Sequence, residues 1–196
     1  MRETFLPFAR PDISEDAIAD VADSLRSGWI TTGPKTQKFE KSFGEYVGSP
    51  YSLAVNSATA GLHLSLLAFG IGPGDEVITT PMTFAATLNT VVLTGATPVL
   101  ADIDPVTLNI RPDMIERAIT SRTRAVIPVH FAGRPCDMQA IEEIVQKNDL
   151  VLIADAAHAL GASCRGKLIG SPAGVEHAAA FRFHPTKNIP CGEGGE

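Results

Sequence analysis

The sequence predicts an α/β fold, a three-layer α/β/α arrangement around a mostly parallel, doubly wound sheet. Three observations lead there. The apolar pattern switches repeatedly between helix-like spacing, three and four residues apart, and short unbroken runs. Those runs are apolar on both faces, as parallel strands covered by helices should be. The two types alternate along the chain, the order that builds parallel sheets through helical crossovers. A chain of 196 residues, 44% of them hydrophobic, is long enough to bury such a core as one domain.

In chain order, the first helix carries Ile18, Val21, Ala22 and Leu25 on one face. Asp12 or Ser14 is its cap and Gly28 its stop. Phe39, Phe43, Tyr46 and Val47 form the face of a second. Leu62, Leu66 and Leu67 mark a more buried helix that ends at Gly70, and further helices are expected near 84–94, 112–120 and 137–148. The strand candidates are 51–56, 76–81, 97–103, 124–130, 150–155 and 178–183. Gly70-Ile71-Gly72-Pro73-Gly74 superficially matches a dinucleotide-binding fingerprint, but it follows a helix and contains proline, so it reads as a turn.

Composition narrows the function. A net charge of -6 argues against nucleic acid as the main partner, although a local site can still hold a small anion. No segment approaches the roughly 20 uninterrupted apolar residues of a membrane span, and residues 1–10 lack the apolar stretch of a signal peptide. Cys136, Cys164 and Cys191 are sparse and form no C-x-x-C pair, which suits reduced thiols and a cytoplasmic location.

Ligands of open parallel sheets bind beyond the C-terminal strand ends, so the residues there carry the chemistry. After the first strand candidate, Asn56-Ser57-Ala58-Thr59 leads into a helix, whose N-terminus is either simply capped or a seat for phosphate. Phe84, after the second, is either core or a plate for a planar heterocycle. Asp155 ends the fifth; it is either a cap for the next helical turn or a buried carboxylate that needs a partner such as a protonated pyridine nitrogen. His158 is either a satisfied core histidine or a contact of the same ligand; the pair is too small a set to specify a metal. Lys187 follows the last strand among apolar and small residues and is either a surface lysine, the commoner case, or an amine whose lowered pKa makes it a nucleophile. An anion seat, a stacking plate, a carboxylate and an amine are the four requirements of pyridoxal 5'-phosphate (PLP).

These residues also resemble a known family, the sugar-nucleotide aminotransferases of the DegT/DnrJ/StrS type, which are fold-type-I PLP enzymes. The resemblance runs from about Phe8 onward. It is carried by Ser27-Gly28-Trp29-Ile30 with Gly33-Pro34, the 56–62 segment, Gly72-Pro73-Gly74-Asp75-Glu76-Val77-Ile78, Thr83-Phe84 and Asp155-Ala156-Ala157-His158-Ala159. Phe183-His184-Pro185-Thr186-Lys187-Asn188-Ile189 and Gly192-Glu193-Gly194-Gly195 complete it. The resemblance implies that Ala58 and Thr59 hold the cofactor phosphate and Phe84 stacks on the ring. It pairs Asp155 with the ring nitrogen, puts His158 beside the ring hydroxyl, and makes Lys187 the Schiff-base lysine and general acid–base. It further implies an amino-acid donor, glutamate or glutamine, a nucleotide-linked keto-sugar as acceptor, and a homodimer at full length. Family members with histidine at the lysine position are dehydratases, so Lys187 favours transamination.

The chain departs from the family at three places. Arg182 stands where a phosphate-bonding serine is common; arginine can also bind phosphate, but its bulk predicts crowding and tighter binding in Arg182→Ser. Pro190-Cys191 replaces a frequent Thr-Thr, and Ala154 a frequent acidic residue. Family chains continue well past the position of Glu196. The resemblance therefore implies that residues 1–196 are the PLP-binding large domain without the smaller C-terminal domain. It also implies that the asparagine a partner subunit supplies to the phosphate is missing. A catalytically silent fragment is the rival expectation.

Overall fold

The computed structural model describes residues 5, 10–175, 177–187, 189, 191 and 193–196. The motif positions Asn188, Pro190 and Gly192, and most of 1–10, lie outside the described residues. The first helix, α1 (Glu15–Ser27), takes Ser14 as its cap: the Ser14 side chain accepts from the Ala17 N–H, and Gly28 ends the helix at φ 74°. Its apolar residues Ile18, Val21 and Leu25 stay exposed. In α2 (Pro34–Val47), proline at the first turn starts the helix, and Phe43 and Val47 are buried.

Four more helices and the strands alternate after this. The order is α3 (Ala58–Ala68), β1 (Glu76–Thr79), α4 (Ala85–Leu93), β2 (Thr97–Leu100), α5 (Pro112–Ala118), β3 (Thr123–Ile127), α6 (Met138–Lys147) and β4 (Val151–Asp155). A small antiparallel hairpin of β5 (Ser163–Cys164) and β6 (Lys167–Leu168) follows, then β7 (His177–Ala180). The main sheet has order β2-β1-β3-β4-β7, and all its strand pairs are parallel. The chain winds outward from β1 to β2, then restarts on the other side with β3, so the topological switch point lies between β1 and β3.

Two-residue alternation splits the core into layers. Val77, Ala125, Ile127 and Ile153 pack with Leu62 and Leu66 of α3 and Val91 of α4. Their neighbours Ile78, Val126 and Leu152 pack with Ile115 of α5 and Ile141 and Val145 of α6. Each fully buried Leu or Ile contributes about 1.5–3 kcal/mol relative to an exposed one, and both layers consist largely of such residues. The three-layer arrangement expected from the sequence is thus present. Among the described residues, no helix is long and apolar enough to cross a membrane.

The strand expectations need correction in several places: 124–130 already ends at Ile127 and 178–183 at Ala180, and two differ further. Residues 51–56 do not form a strand; Val55 alone makes a bridge, antiparallel to Gly195. Apolar patterning marks a candidate, but a strand also needs a partner along its length. The run 97–103 shortens to β2 and is partly exposed, because an edge strand has a neighbour on one side only. Gly195 also bridges Arg182 in antiparallel sense. The 194–196 segment therefore lies between the two stretches that lead to the candidate site.

Candidate active site

A cavity of about 490 Å³ opens at the C-terminal ends of β1, β3 and β4, beside the switch point. Ala58, Thr59, Phe84, Asp155, His158, Arg182 and Lys187 all line it, so every residue singled out from the sequence meets there.

The N-terminus of α3 forms one wall. Ser57 caps it by accepting from the Ala60 N–H at 3.2 Å, and Gly61 N donates to Ser57 O at 3.1 Å. Among the described residues, the N–H groups of Ala58 and Thr59 have no acceptor, and these are the first donors of an eleven-residue helix. The serine cap is present, and the two N–H groups ahead of the capped one are left without an acceptor among the described residues. Gly195 packs behind this wall so closely that an added Cβ would stand 2.6 Å from the Ala58 nitrogen.

Phe84 caps α4 and remains 71% exposed. Its face is available to a planar ring because the α4 core side is filled by Thr87, Thr90 and Val91 instead. Asp155 is buried at the end of β4. Its carboxylate accepts from the Thr87 hydroxyl at 2.7 Å and from the Ala157 N–H at 3.2 Å. Thr83 and Thr87 share a further hydroxyl contact at 2.7 Å. The carboxylate is thereby fixed while the cavity side stays open.

His158 and Lys187 meet in the cavity lining, with Lys187 Nζ 2.5 Å from His158 Nε2. The backbone N–H of Lys187 donates to His184 O at 2.8 Å, which sets the turn that aims the side chain inward. Partial burial, followed by the Arg182 charge, holds the Lys187 amine below the ordinary lysine value of 10.5, while Asp155 pulls it the other way. Burial and the Lys187 charge also depress His158 below its usual 6.5, again opposed by Asp155. A lysine kept closer to neutrality beside an imidazole is a nucleophile with a proton partner at hand.

Sequence reasoning missed several participants. Thr87 is Asp155's hydroxyl donor, and its only local signal is the i, i+4 spacing from Thr83 at a helix start. His130, fully buried, accepts from the Cys136 N–H through Nδ1 and leaves Nε2 without a partner among the described residues. Its backbone N–H donates to Asp155 O at 3.1 Å. Glu193 approaches Arg182 and His184, a pairing that nothing in the local sequence marks.

The model of the DegT/DnrJ/EryC1/StrS aminotransferase family matches residues 11–196. The spore coat polysaccharide biosynthesis protein SpsC of Bacillus subtilis is 52% identical over 194 residues, covering 99% of this chain and 49% of that protein. The PLP form of a protein described as a sugar aminotransferase from Streptococcus pneumoniae superposes with a TM-score of 0.91 at 41% identity, over 97% of this chain and 52% of that one. An aminotransferase from Psychrobacter cryohalolentis gives 0.90 at 38% identity, over 96% and 48%. The chain thus spans about half the length of the relatives it matches.

Proposed function

This chain belongs to the DegT/DnrJ/EryC1/StrS aminotransferase family, and on that premise we propose that residues 1–196 form the PLP-binding large domain of a sugar aminotransferase. The observation that carries the proposal is the meeting of Lys187, Asp155, Phe84 and the free N–H groups of Ala58 and Thr59 around one cavity. The residues fit the cofactor on their own chemistry. Two helix donors and a guanidinium Nε, all without partners among the described residues, suit a phosphate. An exposed phenyl face suits the ring, and a buried carboxylate suits a pyridinium.

When bound, PLP supplies an aldehyde and a ring that accepts electrons. Lys187 would hold that aldehyde through Nζ and, once the donor's amine has displaced it, would carry the proton at the substrate α-carbon. Asp155, steadied by Thr87, would keep the ring nitrogen protonated. His158, in contact with Lys187 Nζ, would orient that amine and serve the ring hydroxyl. Phe84 would cover one ring face and exclude water from it. For the whole protein, the donor is glutamate or glutamine and the acceptor a nucleotide-linked keto-sugar. The relative named for spore coat polysaccharide biosynthesis supports a sugar acceptor. The three free cysteines fit a cytoplasmic enzyme, and a homodimer follows from the family resemblance.

Borohydride reduction of the protein with added PLP, followed by peptide mapping, tests the proposal. The label is expected on Lys187. Because its pKa is depressed, the neutral amine is present at lower pH than for a free lysine, and labelling should begin correspondingly lower. Labelling of Lys147 or Lys167 in its place overturns the assignment.

A further inference from the structure

We propose that Glu193 sets the anion affinity of the phosphate seat by competing for the Arg182 guanidinium. This deepens the PLP reading, because the seat is the one assigned above to the cofactor phosphate.

Arg182 lines the cavity with its side chain 22% exposed, and its Nη2 lies 3.6 Å from Glu193 Oε2. The other carboxylate oxygen lies 3.6 Å from His184 Nε2. Both distances exceed the roughly 2.7–2.9 Å of a charge-assisted hydrogen bond, and the Glu193 side chain is 65% exposed. The carboxylate is therefore a loose partner with open solvent to move into. The buried Arg182 Nε has no acceptor among the described residues, so the guanidinium keeps donor capacity that Glu193 does not use.

The backbone keeps the competitor close. Phe183 N donates to Gly194 O at 3.0 Å, and Gly195 N to Val55 O at 2.9 Å. Gly195 thus sits between Arg182, which it bridges, and the Ala58 nitrogen, against which it packs. A phosphate held by the Ala58 and Thr59 N–H groups brings up to two negative charges to the guanidinium, against the single charge of the carboxylate. The anion displaces Glu193, and the energy of the lost ion pair is subtracted from its binding.

The 196-residue chain is titrated with inorganic phosphate and, separately, with PLP. Glu193→Gln is expected to tighten both by about two- to fivefold, the range set by a partly exposed ion pair. Arg182→Ser is expected to weaken both, opposite to the crowding argument made from size, and to abolish the gain from Glu193→Gln in the double variant. Should the serine variant not fold, Arg182→Lys, which keeps the charge and loses the fork, is expected to shrink that gain. Unchanged or weaker binding by Glu193→Gln, or a gain that survives loss of the guanidinium, overturns the proposal. If phosphate behaves as expected but PLP never labels Lys187, the competition stands and the cofactor reading falls. If PLP labels Lys187 and Glu193→Gln changes neither affinity, the reverse holds.

Discussion

Acidification should destabilise this protein through His130, and the size of the effect follows from where that ring sits. His130 has no exposed surface, and burial lowers its pKa from 6.5 to about 4. The imidazole is held neutral: Nδ1 accepts from the Cys136 N–H at 3.1 Å, so the proton is on Nε2, where no partner meets it among the described residues. In the unfolded chain the ring takes up a proton as pH falls through 6.5; in the folded chain it does not until about 4. The unfolded state therefore binds the extra proton across that window, and stability falls with pH throughout it. The full shift corresponds to about 3 kcal/mol, of which about 2 kcal/mol is lost between roughly pH 6.5 and roughly pH 4.5. Urea unfolding at those two pH values measures it, with His130→Asn as the control, since the amide oxygen still accepts from Cys136 N–H. The variant should start less stable but lose about 2 kcal/mol less over the interval. His158, also depressed, titrates in both proteins and cancels. Glu76, whose pKa Thr120 and Arg122 hold below 4.5, loses its contribution only at lower pH and cancels as well. Parallel losses in the two proteins, or a His130 ring that titrates near 6.5 by NMR, refute the reasoning. The functional corollary is that acid loosens Asp155, whose backbone is held by His130 N and by Pro128 O.

Asp155→Ala in the full-length protein should retain the cofactor at Lys187 while half-transamination with glutamate falls on the order of a hundredfold; undiminished single-turnover absorbance changes would exclude a role for the carboxylate. Gly195→Ala places a Cβ 2.5 Å from the Ser57 carbonyl carbon and 2.6 Å from Ala58 N, so the start of α3 must shift. A stability loss of about 1–3 kcal/mol is expected together with weaker phosphate binding, and wild-type phosphate affinity in this variant would show that the seat does not depend on the close approach.

Much of the site was legible because of one property of parallel sheets: all strands end at the same edge. Residues far apart in sequence, such as Phe84, Asp155 and Lys187, could be grouped without knowing which strand neighbours which. The 51–56 segment misled for the complementary reason. Its apolar residues mark a candidate strand, but pairing depends on what lies alongside, and only Val55 finds a bridge.

The sequence by itself determined the alternation of helix and strand, the presence of a polar cap before α1 and before α3, the glycine stop at Gly28, and the chemical groups at the strand ends, while the structure chose Ser14 and Ser57 as the caps. These are set by local periodicity and by backbone donors within a few residues. Only the tertiary structure decided the strand order with its switch point, the Thr87–Asp155 hydrogen bond across 68 positions, and the Lys187–His158 contact across 29. It also decided that His130 would be buried with no partner for Nε2 among the described residues and that Arg182 would face Glu193. Such contacts depend on how whole layers pack and on which side chains the shared core brings within a few ångströms. Local pattern records that a residue is buried or polar, but not which distant residue will meet it.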